Sequence, residues 1–171
     1  MKQPKPTTAR GGFTLIEAMV ATAIVGVGVS AMMMASQSGT RVNADSQEQT
    51  RAVFLAQEVR EWVASLPFKD PDPGQQDNPP GPDGSSPQVF VDDVDDMKDV
   101  TYSPPRDAQG TAIAALAGWS QKIKMTWVSP ADFSAALADG ASNVIKVRVD
   151  ILRNAKTVLT TTWIVTKGSA Q

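Results

Sequence analysis

Hydrophobic and polar positions along the chain fall into three regimes. From Phe13 to Ala35 the sequence FTLIEAMVATAIVGVGVSAMMMA is apolar or small over 23 residues, with Glu17 as its one charge. A helix of that length is about 35 Å long and can cross a hydrocarbon core of about 30 Å. Past Ala35 the chain turns polar but keeps helical spacing: Ala52, Leu55, Ala56, Val59, Trp62, Val63 and Leu66 recur at three- and four-residue steps. No proline interrupts Phe13 to Leu66, and Pro67 supplies a stop. The pattern predicts one helix over about 14–66, about 80 Å long, with an apolar half and an amphipathic half. Ser36 to Gly39 is its weakest stretch by propensity, where the helix would melt locally on assembly.

The last third of the chain has a period of two. Trp119, Ile123, Met125 and Trp127 alternate with Ser120, Lys122, Lys124 and Thr126. Ile145, Val147, Val149 and Ile151 form a second row, and Leu159, Thr161, Trp163 and Val165 a third, entered through Asn154-Ala155, which suits a tight hairpin. Three strands with short links predict an antiparallel sheet packed on the amphipathic half of the helix. The stretch from Pro130 to Ala138 reads as a short helix between the first two strands, and Ala112 to Ala117 is ambiguous.

Between these regimes, residues 67–107 hold nine of the twelve prolines and ten Asp. Such a segment opposes regular structure and predicts an exposed loop, with Val89-Phe90-Val91 docking it to the head. Asp92, Asp93, Asp95, Asp96 and Asp99 offer hard oxygens to calcium. Their spacing is not that of an EF-hand loop, and the loop's glycine and terminal glutamate are missing, so a solvated acidic loop is the expectation.

Composition removes several chemistries. The 171 residues carry a net charge of −2 and contain neither cysteine nor histidine. Disulfides, thiolate metal sites and a nucleophilic cysteine are excluded, and so are the commonest general base and metal ligand. Paired carboxylates remain for a membrane-anchored hydrolase, but they cluster in the segment least suited to holding them rigid. The expectation is no enzyme and no cofactor. Nucleic-acid binding by this chain alone also lacks support, because no basic stripe with interleaved aromatics follows the leader.

Lys2, Lys5 and Arg10 precede the apolar run without an acid among them, so the positive-inside rule places residues 1–12 in the cytoplasm and the head outside. A carboxylate inside the run is costly, about 2.5–3.5 kcal/mol for an Asp-type charge at the bilayer centre and less toward the interface. Glu17 therefore calls for a cation at its own depth, from another copy or from a new amino terminus. A secretory signal would be cut after the apolar run, behind small residues, which Met33 and Ala35 fit poorly. A plain single-pass anchor needs neither Gly12 nor Glu17.

The string Gly12-Phe13-Thr14-Leu15-Ile16-Glu17, behind a short basic leader, resembles the processing site of type IV prepilins and type II secretion pseudopilins. The resemblance implies that a prepilin peptidase cuts between Gly12 and Phe13 and methylates the Phe13 amine. It also implies that Glu17 pairs with the amine of a neighbouring subunit as a filament grows. The implied fold is α+β and pilin-like, with a long N-terminal helix on a small antiparallel sheet. The implied organisation is a leader at 1–12, a transmembrane or filament-core helix at 13–35, its amphipathic half at 36–66, a loop at 67–107 and a sheet head at 108–171. The implied partners are prepilin peptidase, other pilin or pseudopilin subunits, an inner-membrane assembly platform and membrane lipid. The implied location is the bacterial inner membrane, then a surface pilus or a periplasmic pseudopilus. GFTLIEAMVA and a head without a cysteine loop are similar to minor pilins of the PilV type and to the I-type minor pseudopilin.

Overall fold

The computed structural model describes residues 12–70, 80–82 and 91–168. Helix α1 runs from Leu15 to Ser65 and is continuous across Gly39 in the single chain. The chain divides into two compact units, one ending at Asp45 and the other Ser46–Gln171, and α1 contributes to both.

In the first unit every described side chain is exposed. Large apolar groups run along it unburied, from Leu15 (82% exposed) to Met34 (75%). Its hydroxyls turn inward: Thr22 Oγ1 donates to the Ala18 carbonyl at 2.7 Å and Ser30 Oγ to that of Gly26 at 2.9 Å. Back-bonding of this kind satisfies a hydroxyl without water, as a helix in hydrocarbon requires. A Cβ built on Gly26, Gly28 or Gly39 meets nothing within 4 Å, so no contact among the described residues accounts for glycine at these positions.

The second unit is a sheet with the later turns of α1 packed on one face. Ala52, Leu55, Ala56, Val59, Trp62 and Val63 are buried there, as their spacing predicts. The sheet comprises β1 (Thr101–Tyr102), β2 (Trp119–Ser129), β3 (Asp132–Ala136), β4 (Val144–Arg153) and β5 (Lys156–Thr166), in the order β1-β2-β4-β5 with β3 pairing β2. All the pairings are antiparallel. The register aligns the apolar rows, with Ile123 opposite Val149, Met125 opposite Val147 and Trp127 opposite Ile145. The Asn154-Ala155 hairpin has φ of 49° and 64°, the left-handed pair that a two-residue turn between twisted strands requires.

Two expectations are corrected. Residues 130–138 contain a strand, β3, where the sequence suggested a short helix. Its alanines favour helix, but pairing with the end of β2 prevails, and the Leu137 amide donates to the Trp127 carbonyl at 2.8 Å. The acidic segment is not a solvated loop: Asp93, Asp95 and Asp96 are buried, and Val94, Met97, Val100 and Tyr102 belong to the core. Val91 packs partly against that core, while Val89 and Phe90 lie outside the described residues.

Candidate processing and assembly site

Gly12, Phe13 and Thr14 precede α1 in non-helical conformation and are exposed, Phe13 at 83%. The Gly12–Phe13 bond thus lies outside the helical hydrogen-bond ladder. A Cβ on Gly12 would meet nothing within 4 Å. Among the described residues, no packing contact asks for glycine at 12.

Thr14 starts the helix. Its carbonyl accepts from the amides of Glu17 (3.1 Å) and Ala18 (3.2 Å). Its hydroxyl accepts from the Glu17 amide at 3.4 Å and donates to Glu17 Oε2 at 3.5 Å. Threonine at the cap with glutamate three positions on is the capping-box spacing, legible in the sequence though not anticipated above. Glu17 also sits where the helix dipole favours an anion. Both contacts are long and the carboxylate is exposed, so the cap is loose. An ammonium group would make a shorter, charge-assisted bond, typically about 2.7–2.9 Å, and displace it.

The five aspartates weighed for calcium are arranged differently. Asp93 Oδ1 accepts from the amides of Asp95 (2.9 Å) and Asp96 (3.2 Å), which begins the 3₁₀ turn Asp95–Met97. Asp96 Oδ2 reaches back to the amides of Asp92 (2.9 Å) and Asp93 (3.4 Å). Asp95 Oδ2 accepts from the Gly81 amide at 2.8 Å. Burial, then the neighbouring Asp95 charge, push the Asp93 carboxyl up to about 7. Asp99 stands apart on an exposed left-handed residue with φ 57°. Among the described residues no group of three acids is placed to hold a metal ion.

Gln121 is a structural residue that the periodicity did not reveal. Fully buried in the apolar row of β2, it accepts from the Arg106 amide at 2.7 Å and donates to the carbonyls of Leu55 (3.0 Å) and Arg106 (2.9 Å). It links α1, β2 and the segment between β1 and β2.

Comparison with known families gives one match: the prokaryotic N-terminal methylation motif, over residues 7–33. No curated protein and no solved structure matches the chain. The match spans the second half of the leader with Arg10, the Gly12–Phe13 bond, Glu17 and most of the apolar run, and does not reach the head. The motif implies processing by prepilin peptidase and assembly with other pilin subunits, and together with the apolar helix it supports anchoring in the inner membrane. The chain therefore opens with a motif that is typical of type IV pilins and pseudopilins.

Proposed function

We propose that the chain is a minor subunit of a type IV pilus, stored in the inner membrane with its leader cytoplasmic and its head periplasmic. Prepilin peptidase cuts between Gly12 and Phe13 and methylates the new Phe13 amine. Glu17 of an incoming subunit then pairs with the amine of a neighbour, so two charges that are unpaired in lipid become paired in the fibre. The observation that carries this reading is a single loosely capped carboxylate in the otherwise uncharged, wholly exposed stretch of α1 up to Ala35, one turn after an exposed Gly–Phe bond. A proline-rich acidic insert and the lack of a cysteine loop favour a minor subunit over a major or disulfide-looped adhesive one. The same residues would serve an I-type minor pseudopilin, and the genes beside this one separate the two.

Glu17→Gln tests the mechanism, because glutamine keeps the capping-box hydrogen bond and removes the charge. The variant is expected to be inserted and processed as the parent is, while its incorporation into sheared filaments falls at least tenfold. Glu17→Lys should abolish incorporation. Normal incorporation of both would mean that Glu17 is only a helix cap.

We also read the aspartate cluster as a structural turn and not a calcium site, because the bonded carboxylate oxygens accept backbone N–H groups. Calcium at 1 mM, on the order of the weakest extracellular calcium modules, should leave the melting temperature of the head unchanged. A calcium-dependent rise would reverse that assignment.

A further inference from the structure

Strand β5 ends the sheet. β4 pairs with it from Val144↔Thr166 to Ile151↔Leu159 without a break, and no described residue pairs with its other edge. From Thr157 to Thr166 the sequence TVLTTTWIVT has no charge and no proline. Lone edges are normally blunted by lysine, proline or a bulge, because their outward N–H and C=O groups recruit another strand. Here the bulge lies at the hairpin end, between Ile151 and Leu152, and leaves the remaining edge regular.

The face beside that edge is incompletely covered. On β4 the core row Ile145, Val147, Val149 and Ile151 is fully buried. The residues paired with them on β5, Val165, Trp163, Thr161 and Leu159, are only half-buried. Between β5 and α1 runs a groove of about 250 Å³, lined by Val53, Gln57, Arg60, Leu159, Thr161 and Trp163 among others, with Val53 56% exposed. A further strand hydrogen-bonded to β5 would lay alternate side chains into this groove.

Charge narrows the occupant. Among the described residues the groove lining holds one cation, Arg60, and no anion, and Lys156 and Lys167 bracket the uncharged stretch. A second copy's β5, itself uncharged over Thr157–Thr166, offers nothing to Arg60. We propose that β5 and the groove beside it receive an extended segment of a different protein chain, apolar and polar in alternation, with a carboxylate that meets Arg60. Backbone pairing supplies affinity, and the groove selects the side chains. This rests on the proposed assembly role only for where that segment comes from, a neighbouring subunit.

The test uses the full chain in detergent micelles and a synthetic ten-residue peptide of alternating valine and threonine with one central glutamate. Amide exchange along β5 and Trp163 fluorescence are the readouts, and the mass of the N-terminus is determined on the same material, so that a failed processing reading is seen separately. The peptide is expected to slow exchange of alternate β5 amides at least tenfold while β4 is unchanged. The same peptide with lysine in place of glutamate should bind at least fivefold more weakly, and Arg60→Glu should invert that preference. Three results would overturn the proposal: no protection with peptide, β5 protection already present in the dilute free chain, which assigns the edge to a segment of this chain, or protection that rises with protein concentration alone, which assigns it to a second copy.

Discussion

Asp93 shows how far a residue's neighbours alter its chemistry. It is 2% exposed and shares its surroundings with Asp95 and Asp96, and burial with the adjacent Asp95 charge holds its carboxyl up to about 7 against an ordinary 3.8. The folded state therefore binds this proton more tightly than the unfolded chain does. Stability from this group is complete below the unfolded value near 3.8, declines as pH rises, and is lost above about 7. The head should melt several degrees higher at pH 5.5 than at pH 8. Asp93→Asn keeps an oxygen for the amides of Asp95 and Asp96 and carries no charge, so it should remove most of that slope and raise the melting temperature at pH 8. Equal slopes in the two proteins, followed by circular dichroism, would place the titrating group elsewhere. None of this was legible in the sequence, where five aspartates in eight positions look solvated. Burial of Asp93 follows from Val94, Met97 and Val100 entering the core around it, a tertiary fact. Gly12, Phe13 and Glu17 are the opposite case. What they are read for is set by an external enzyme and a neighbouring subunit, so it is written as a local string.

Among the elements, α1 and the three long strands were legible because each buries one face and repeats at the matching period. The rows at Ile123–Trp127, Ile145–Ile151 and Leu159–Val165 fall opposite one another in register. What periodicity could not supply was the content of the joints. β3 is held by pairing to β2 against the helix preference of its alanines, and Gln121 occupies an apolar position because Leu55 and Arg106 present backbone groups to it. Gln121→Ala takes away the partner of the part-buried Arg106 amide and carbonyl and leaves a void beside α1. A loss of about 2–4 kcal/mol is expected from such orphaned polar groups, measured by urea denaturation with tryptophan fluorescence. A loss below about 1 kcal/mol, a typical net value for one hydrogen bond, would show that the glutamine is replaceable. Gly110 makes a similar joint: at φ 76° it passes so close to Trp62 that a Cβ would lie 2.7 Å from the indole.

Taken whole, the molecule joins two parts with different solvents. The head has an ordinary core built on Leu55, Val59, Ile123, Val147 and Val149, all at 0% exposure. The apolar run has no cover at all, with Phe13, Leu15, Ile16, Met19, Ile24, Val27 and Met32 each more than 60% exposed. A continuous apolar surface on that scale is stable only against lipid or other apolar helices. On the proposed function, lipid would serve the precursor and helices of neighbouring subunits the fibre, and a cut before Phe13 would allow the exchange by creating the cation that Glu17 lacks. That cut is the central claim, and the intact mass of the chain recovered from membranes tests it most directly. The account predicts a chain beginning at Phe13 with one methyl group on its amine. A chain retaining Met1, or one beginning near Ser36 after the apolar run, would contradict it.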